Sequence, residues 1–483
     1  MNHPAPVIYW FRRDLRIDDL PALQSALACG RPLVPCFILD DEADGEWALG
    51  GASRWWLHHS LQALSDSLAK YGGHLVVRRG DTKAELKALA KETGATDIYC
   101  TEVYEPHAHA LEQDLSHQLN TEGVTLHCLP GSLFFRPQDV RNGSGLPFKV
   151  FTPFWRHCLQ RLPEPAAPQK TALDSGSFGQ QKCVGLPSEQ WQLLPQSPNW
   201  AADWHTFWTP GAAGAAQTLD HFVAHALKGY ALDRDFPAKD GSSRLSAHFH
   251  WGELSPRQAW AAVKYAPGSD EKDRQKFLSE LGWRDFNHHL LFHFQHIADR
   301  PFKPHFAHMP WLGSEELFKA WCEGRTGYPI VDAGMRELWQ TGFMHNRVRM
   351  ICASFLTKHL LLPWQWGAKW FWDTLVDADL ANNSGGWQWV AGCGADASPW
   401  FRIFNPMLQG KKFDGEGAYV RRWLPELSQL SDRDLQIPWE APPLVLAEAD
   451  VTLGDTYPFP IVDHKQAREA ALSAYDAVSA ASS

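Results

Sequence analysis

The stretch from residue 377 to residue 406, DADLANNSGGWQWVAGCGADASPWFRIFNP, combines residue types that core packing does not require together. Two acids, an Asn pair, a Gly pair and two Trp separated by one residue follow each other closely. Glycine lets a backbone approach a flat ligand, and carboxylates or carboxamides orient the polar edge of a ring. The stretch therefore predicts a binding site for a flat, polar ligand flanked by large aromatic side chains.

A second dense segment, GYALDRDFPAKDGSSRLSAHFHWGELSPR, spans residues 229–257. Its Gly-Ser-Ser-Arg-Leu-Ser turn places small residues, hydroxyls and one Arg directly before a predicted helix. Such a turn can offer backbone N–H groups and a positive charge to a phosphate. Taken alone, a Ser-rich turn of this kind is more often a helix cap. Together with the stretch that begins at residue 377, it predicts the other half of a dinucleotide site.

The chain changes character twice along its length. Five β-rich runs, Val7–Phe11, Leu33–Leu39, Leu75–Arg78, Asp97–Cys100 and Val124–His127, alternate with helical patterns, which predicts a parallel, doubly wound sheet over residues 1–130. Residues 131–217 are rich in Pro, Gly, Gln and Ser and are predicted to be an interdomain linker. From residue 218 to residue 483 the pattern is helical. Neither GxGxxG after the first strand nor a P-loop motif is present.

Composition and charge narrow the class of protein. The net charge of −10 argues against general electrostatic binding to DNA, so any nucleic-acid contact is predicted to be a local patch. Nine cysteines without a CxxC pair predict reduced thiols in a cytoplasmic protein. We see neither a signal peptide nor an apolar run long enough to span a membrane. Most of the 24 tryptophans are expected to pack in the core, and a few to stack on ligands or carry electrons.

The motifs above resemble those of the photolyase/cryptochrome family, and most closely those of bacterial photolyases that repair cyclobutane pyrimidine dimers. The resemblance covers nearly the whole chain. It extends through VIYWFRRDLRIDDLPAL (7–23), FLSELGWRDFNHHL (277–290), GRTGYPIVDAGMREL (324–338) and GFMHNRVRMICASFL (342–356). It implies an N-terminal Rossmann-like α/β domain, an all-helical C-terminal domain that binds FAD, and light-driven splitting of the dimer by electron transfer from reduced FAD. A flavin carries the redox chemistry of such a reaction, and the protein supplies positioning and electrostatics.

The resemblance also assigns roles to residues. The residues implied to hold FAD are Tyr230, Ser242, Ser243, Arg244, Leu245, Ser246, Arg284, Asn346, Asp377, Asp379 and Asn383. Asn383 would face flavin N5, because an amide can donate to a reduced flavin without adding negative charge. Asp377 and Asp379 have an alternative interpretation as helix caps.

The residues implied to bind a flipped-out dimer are Glu280, Trp283, Asn346, Arg347, Arg349, Met350, Trp389 and Arg234. Trp283 and Trp389 would form aromatic walls, and Glu280 would bond the base edge and stabilise the radical anion. Trp387, Trp364 and Trp311 would carry electrons between flavin and surface, although the sequence alone does not separate them from core tryptophans. The partner is then UV-damaged DNA, bound by a monomer.

Several alternatives stay open. A cryptochrome-like sensor, a 6-4 photoproduct photolyase and a flavoprotein that only shuttles electrons would share much of this site. His107 and His109 occupy the region where many relatives bind an antenna, so a second chromophore, folate or flavin, is uncertain. Trp400 stands where relatives usually have Tyr, and we expect it to pack. His289 and His293 are spaced as in helical zinc sites, but we expect packing histidines and no metal.

Overall fold

The computed structural model describes residues 4–43, 45–161, 167–178, 183–396 and 402–480. Within these residues the strands β1 (Val7–Phe11), β2 (Leu33–Leu39), β3 (Val76–Arg79), β4 (Asp97–Thr101) and β5 (Thr125–Leu129) form one sheet of order β3-β2-β1-β4-β5. Every neighbouring pair is parallel. The order reverses between β1 and β4, so the doubly wound sheet predicted from the sequence is confirmed.

Besides these strands, the described chain contains twenty α-helices. They are α1 (Pro21–Ala28), α2 (Gly51–Ala69), α3 (Thr82–Thr93), α4 (Pro106–Thr121), α5 (Phe151–Arg161), α6 (Ala212–His221), α7 (Tyr230–Asp233), α8 (Ser246–His250), α9 (Pro256–Lys264) and α10 (Glu271–His293). Further along lie α11 (Glu315–Cys322), α12 (Pro329–Thr341), α13 (Asn346–Ser354), α14 (Trp364–Thr374), α15 (Leu380–Ala391), α16 (Pro406–Phe413), α17 (Ala418–Trp423), α18 (Asp432–Leu435), α19 (Pro443–Glu448) and α20 (His464–Ala480). Phe222–Ala226 and Phe355–His359 are π-helical turns.

The local sequence accounts for these elements. Strands β1 and β2 are buried along their whole length, as expected for parallel strands covered on both faces. Helix α3 begins at an Asp81 side chain that accepts from the Ala84 N–H at 2.8 Å, and ends at Gly94, whose φ is +72°. Helix α9 begins with a complete capping box between Ser255 and Gln258. Caps of this kind determine where a helix begins or ends, and only a few residues of sequence are needed to form them.

The chain divides into two compact units. The first comprises Met1–Lys228, Ser243–Gln295 and Val376–Asp379, and the second comprises Gly229–Ser242, His296–Leu375 and Leu380–Ser483. The first contains the sheet, and the helices of the second include α11 to α20. The boundaries at residues 130 and 217 stay a prediction. Among the described residues, none of the helices combines the length and apolar character that a membrane span requires.

Candidate active site

Asp377 and Asp379, the two acids that open the stretch 377–406, lie in the first unit, among side chains from α8 and α10. Ser246 Oγ donates to Asp377 Oδ2 at 2.5 Å. Asp379 Oδ2 lies 3.5 Å from His250 Nδ1 and 3.2 Å from His288 Nε2. Burial alone would raise the pKa of Asp379, but His288 and His250 outweigh it and hold that pKa well below its ordinary range. Asp379 is therefore a buried carboxylate that stays charged.

His250 and His288 were not among the predicted site residues. Both are buried, at 4% and 7% exposure, and the ring nitrogens that do not approach Asp379, His250 Nε2 and His288 Nδ1, have no hydrogen-bond partner within the described chain. Buried polar groups are normally satisfied by protein, water or ligand. The only sequence signal was their place inside the motifs HFHWGE and RDFNHHL. Because the chain has 23 histidines, that signal did not single them out.

The Ser-rich turn opens α8, a helix of only five residues. Arg244 is exposed and has a φ of +52°, in the left-handed region, whereas Leu245 is fully buried beneath it. With so short a helix, the helix dipole adds little at this turn, and the expected contribution of a helix N-terminus to phosphate binding is small. A phosphate here would be held by the Arg244 cation and the Ser hydroxyls.

Arg284, another predicted FAD contact, is held by the backbone of the first unit. Its Nη1 donates to the Ser132 carbonyl at 2.7 Å and its Nη2 to the Phe249 carbonyl at 3.3 Å. The adjacent Asp285 accepts from the Phe134 N–H at 2.9 Å. Burial, opposed by Arg284 and His288, raises the pKa of Asp285 to about 6. Arg284 is thus immobilised as a cation close to a carboxyl that titrates near neutrality.

Glu280 and Trp283 lie one turn apart on α10. Residues at this spacing share a helix face, as expected if Trp283 forms a wall of the lesion pocket and Glu280 contacts the polar edge of the dimer. Both are partly exposed. Trp283 stacks on Phe151 with ring centroids 3.8 Å apart and planes 10° apart, which fixes its ring orientation. Glu280 Oε1 pairs with Lys276 Nζ at 2.9 Å. Gly282 faces Trp155 so closely that a Cβ would come within 2.6 Å of the indole.

In the second unit, α15 carries the Asn pair, the Gly pair and the two closely spaced Trp of the stretch 377–406 and packs against α13 and α14. Asn383 Nδ2 donates to the Ala368 carbonyl at 2.9 Å, which orients the amide. A Cβ built on Gly386 would meet nothing within 4 Å, so this residue borders open space. Ser384 Oγ is buried, and the described residues offer it no hydrogen-bond partner. Open space beside a glycine and an orphaned hydroxyl fit a bound flat group.

The three predicted wire tryptophans differ in exposure. Trp387 and Trp364 are both 2% exposed, whereas Trp311 is only partly buried and packs with Met309, Leu361 and α20. Trp387 meets Phe371 edge-on at 5.0 Å and Trp321 at 6.2 Å. Its indole N–H has no acceptor in the described part of the chain. The gradient from buried to partly exposed suits a path toward the surface.

The predicted lesion contacts on α13 are held in different ways. Asn346 is exposed and Met350 partly exposed, so both remain accessible. Arg347 makes an internal ion pair with Asp235 at 2.8 Å, and Arg349 Nε donates to the Met344 carbonyl at 2.7 Å. Tyr230, a predicted FAD contact at the start of α7, is buried. The guanidinium of Arg234, a predicted lesion contact directly after α7, lies 5.5 Å from the centroid of the Tyr230 ring.

Burial, and after it the charge of Arg234, lowers the pKa of the neighbouring His345 to about 4. This histidine caps α13, since its Nδ1 accepts from the Arg347 N–H at 3.2 Å. A neutral imidazole is the form that can accept this bond. His345 therefore positions the start of α13 and its exposed Asn346.

Other residues singled out from the sequence have structural contacts. His289 Nε2 accepts from the Phe148 N–H at 3.0 Å, and His293 Nε2 lies 3.0 Å from the Pro137 carbonyl. Ser242 and Ser243 are partly exposed, and so is Trp389, the second predicted aromatic wall. His109 lies near Phe292 with ring centroids 5.4 Å apart. Trp400 lies outside the described residues.

Comparison with known proteins matches both halves of the chain. A family described as DNA photolyase matches residues 7–171, and one described as FAD binding domain of DNA photolyase matches residues 277–477. The chain is 51% identical to a deoxyribodipyrimidine photo-lyase of Agrobacterium fabrum, over 98% of each protein. It is also 38% identical to Cryptochrome-1 of Arabidopsis thaliana, over 95% of this chain and 69% of that protein.

Solved structures agree with these matches. A bacterial class III photolyase from Agrobacterium tumefaciens superposes with a TM-score of 0.95 at 49% identity, covering 99% of this chain and 98% of that one. A cryptochrome of Synechocystis gives a TM-score of 0.87 at 30% identity, covering 98% and 99%. The expected α/β and helical FAD-binding domains are confirmed, and FAD is the cofactor of the domain matched. The chain belongs to the photolyase/cryptochrome family.

Proposed function

We propose that this protein repairs UV-damaged DNA by splitting cyclobutane pyrimidine dimers with light, using an electron from reduced FAD. The observation that carries the proposal is a Trp283 ring stacked on Phe151, with Glu280 one turn before it on the same helix, in a chain 51% identical to a deoxyribodipyrimidine photo-lyase. A rigid aromatic face stacks on an extruded base, and a damaged pair costs less to extrude than an intact one. Glu280 then bonds the polar edge of the dimer.

We assign the FAD to the residues implied by the resemblance. Arg244 and the hydroxyls of Ser242, Ser243 and Ser246 hold the phosphates, together with Tyr230 and Leu245, which contact neighbouring groups of the FAD. Asp377, Asp379, Arg284, Asn346 and Asn383 line the ring. The flavin supplies light absorption and the transferred electron. The protein holds charges and donors in fixed positions around it, as the bonds of Asn383 and Arg284 to backbone carbonyls illustrate.

We further assign Trp387, Trp364 and Trp311 to electron delivery from the surface. Trp311 is placed at the surface end because it is partly buried, whereas Trp387 and Trp364 are buried. DNA is held beside the lesion by Arg234, Arg347, Arg349, Met350 and Trp389. We place the protein in the cytoplasm as a monomer. An archaeal photolyase of Sulfolobus tokodaii with a TM-score of 0.81 holds two FAD molecules, and a second chromophore here remains a proposal without an assigned site.

A repair assay tests the proposal. Reduced protein is mixed with an oligonucleotide that contains one thymine dimer, and restored thymines are measured under blue light and in darkness. We expect repair only in light, and a loss of at least tenfold in Trp283→Ala and Glu280→Gln. Glu271→Gln, on the same helix but paired with Arg274 at the far end, should repair normally. Bound FAD without repair would reject the proposal, and a 6-4 photoproduct would be the next substrate.

A second candidate, a light sensor without repair, is favoured by the 38% identity to an Arabidopsis cryptochrome. It needs the flavin and the tryptophans but not the lesion pocket. Trp387→Phe should abolish photoreduction of oxidised FAD in either case, whereas Trp439→Phe, which changes a ring packed on Tyr328, should not. Photoreduction without repair of either a cyclobutane dimer or a 6-4 photoproduct would therefore identify the sensor.

A further inference from the structure

Two buried histidines and one buried carboxylate form a cluster whose charge depends on protons. His250 belongs to α8, His288 to α10, and Asp379 precedes α15, yet both imidazoles lie within 3.5 Å of the same Asp379 oxygen. His250 Nε2 and His288 Nδ1, the ring nitrogens that do not approach Asp379, have no hydrogen-bond partner in the described chain, and each imidazole is more than nine-tenths buried. Such nitrogens are expected to face a ligand or a bound water.

The charges of the two histidines and of Asp379 determine whether the cluster can bind a proton. Burial lowers the pKa of His250, so at neutral pH this imidazole is uncharged while Asp379 is charged. Reducing a bound flavin by two electrons with one proton adds one negative charge. A new negative charge beside a buried carboxylate is costly, because like charges repel strongly where water is excluded. A neutral imidazole in the same place can offset it by binding a proton.

We propose that His250 and His288 take up one proton from solvent when the FAD beside Asp379 is reduced. The balance is two electrons from the added reductant, one proton on the flavin and one proton on the imidazole pair. The inference rests on the proposed FAD site. It makes the two histidines proton-binding residues of the redox step that precedes repair, and assigns Asp379 to hold both imidazoles.

Other charged groups face the cluster and enter the test. Arg13 and Glu105 act on the pKa of His250 from the loops that follow β1 and β4, and the two pair with each other. His288 acts on the pKa of Asp285, the next candidate for the proton. Arg13 is a permanent cation and Glu105 is already paired. The variant Asp285→Asn therefore separates uptake at the carboxyl from uptake at the imidazoles.

The first measurement is the two-electron midpoint potential of the FAD in the holoprotein between pH 7 and pH 8.5. Two protons per two electrons give a slope of about 59 mV per pH unit, and one proton gives about 30 mV. We expect a slope above about 45 mV in the wild type and in Asp285→Asn, falling to about 30 mV in His250→Asn/His288→Asn. The exposed His308→Asn should match the wild type.

A wild-type slope near 30 mV, or a drop in Asp285→Asn alone, overturns the inference. If the double variant does not retain FAD, ¹⁵N-histidine spectra of oxidised and reduced wild type decide instead. Two histidine resonances should change from neutral to shared-proton shifts on reduction, and unchanged spectra would refute uptake. Dimer repair by the wild type is measured separately. Repair with a single-proton slope would refute only the inference, and absence of repair and of bound FAD would refute the proposed function.

Discussion

At the residue scale, the side chains of the candidate site are distinguished by how they are held. Asn383 is fixed by its bond to the Ala368 carbonyl, so a donor is required at that position. Aspartate offers a similar shape without a donor when it is ionised. Asparagine and aspartate therefore differ most in their interaction with the Ala368 carbonyl oxygen, to which an ionised carboxylate cannot donate.

We expect Asn383→Asp to lower the free energy of unfolding of the apoprotein by about 1–3 kcal/mol at pH 8, because the carboxylate faces an acceptor. Protonation restores a donor, so the folded-state pKa of the new carboxyl is raised. The deficit should therefore shrink as pH falls toward 5. Urea unfolding of both proteins at several pH values measures this, and a deficit that does not depend on pH would contradict it.

Lys358 gives a second prediction at this scale. It is 1% exposed and donates to the Ala391 carbonyl at 2.8 Å, and burial lowers its pKa to about 7. In the unfolded chain a lysine has a pKa of about 10.4. Between these values the unfolded chain holds more protons, so stability should rise by up to about 1.4 kcal/mol per pH unit.

We expect that rise between pH 7 and pH 9 to disappear in Lys358→Met, as measured by urea unfolding. Burial raises the pKa of the neighbouring Cys393 to about 12, so this thiol does not titrate in the same range. Lys319→Met, which alters a side chain 75% exposed, should keep the wild-type slope. Equal slopes in all three proteins would show that Lys358 is protonated throughout.

At the element scale, α14 and α15 each carry a glycine beside the candidate site, and the two glycines have opposite effects. Gly367 on α14 leaves room for Trp387, since a Cβ there would lie 2.0 Å from the indole. Gly386 on α15 instead borders open space. A methyl group should therefore harm the fold at one position and only the ligand site at the other.

We expect Gly367→Ala to destabilise the apoprotein by about 1–3 kcal/mol through overpacking. Gly386→Ala should stabilise it by about 0.5–1 kcal/mol, because alanine is the better helix former. The same methyl should weaken FAD binding about tenfold or more by filling the open space. Thermal unfolding and FAD titration of the apoproteins test both. Unchanged FAD affinity in Gly386→Ala would place the flavin elsewhere.

The elements themselves were largely predictable. Strand β1 and strand β2 agree with the sequence prediction residue for residue, because buried parallel strands are continuous apolar runs. The helical pattern of residues 82–93 likewise predicts the capped α3 with the bounds that the structure gives it. Contacts between distant segments were not predictable. The Arg347–Asp235 pair and the approach of His250 and His288 to Asp379 depend on tertiary packing, for which a single sequence carries no local signal.

At the scale of the whole molecule, the protein carries a net negative charge, and so does the DNA that we propose as its substrate. The net charge is −10, so binding depends on local cations. In the second unit Arg347 and Lys412 both lie over the Phe413 ring, at 4.3 Å and 5.1 Å from its centroid. Because Asp235 pairs with Arg347, the cation of this pair that is available to a phosphate is the exposed Lys412.

We expect affinity for dimer-containing duplex DNA to fall as salt rises, with a slope of about −0.9 per phosphate contacted. Lys412→Ala should reduce the magnitude of that slope by about 1 and weaken damaged and undamaged DNA equally. Lys319→Ala, on α11, should leave it unchanged. Fluorescence anisotropy between 50 and 200 mM salt measures the slopes, and an affinity indifferent to salt would exclude a phosphate-based patch.

The packing of α20 over Trp311 has a consequence for handling the protein. The helix is held largely by small side chains, Ala471, Ala474 and Val478, and by His464, whose ring bonds His359 at 2.8 Å. Small side chains bury little apolar area, so α20 should open locally before the cores of either unit melt. Stored or warmed samples would then admit water and oxygen to Trp311, the proposed surface end of the electron path, while the rest of the protein is still folded. Ageing would first make photoreduction of the FAD irreproducible, while the thermal unfolding curve is still unchanged.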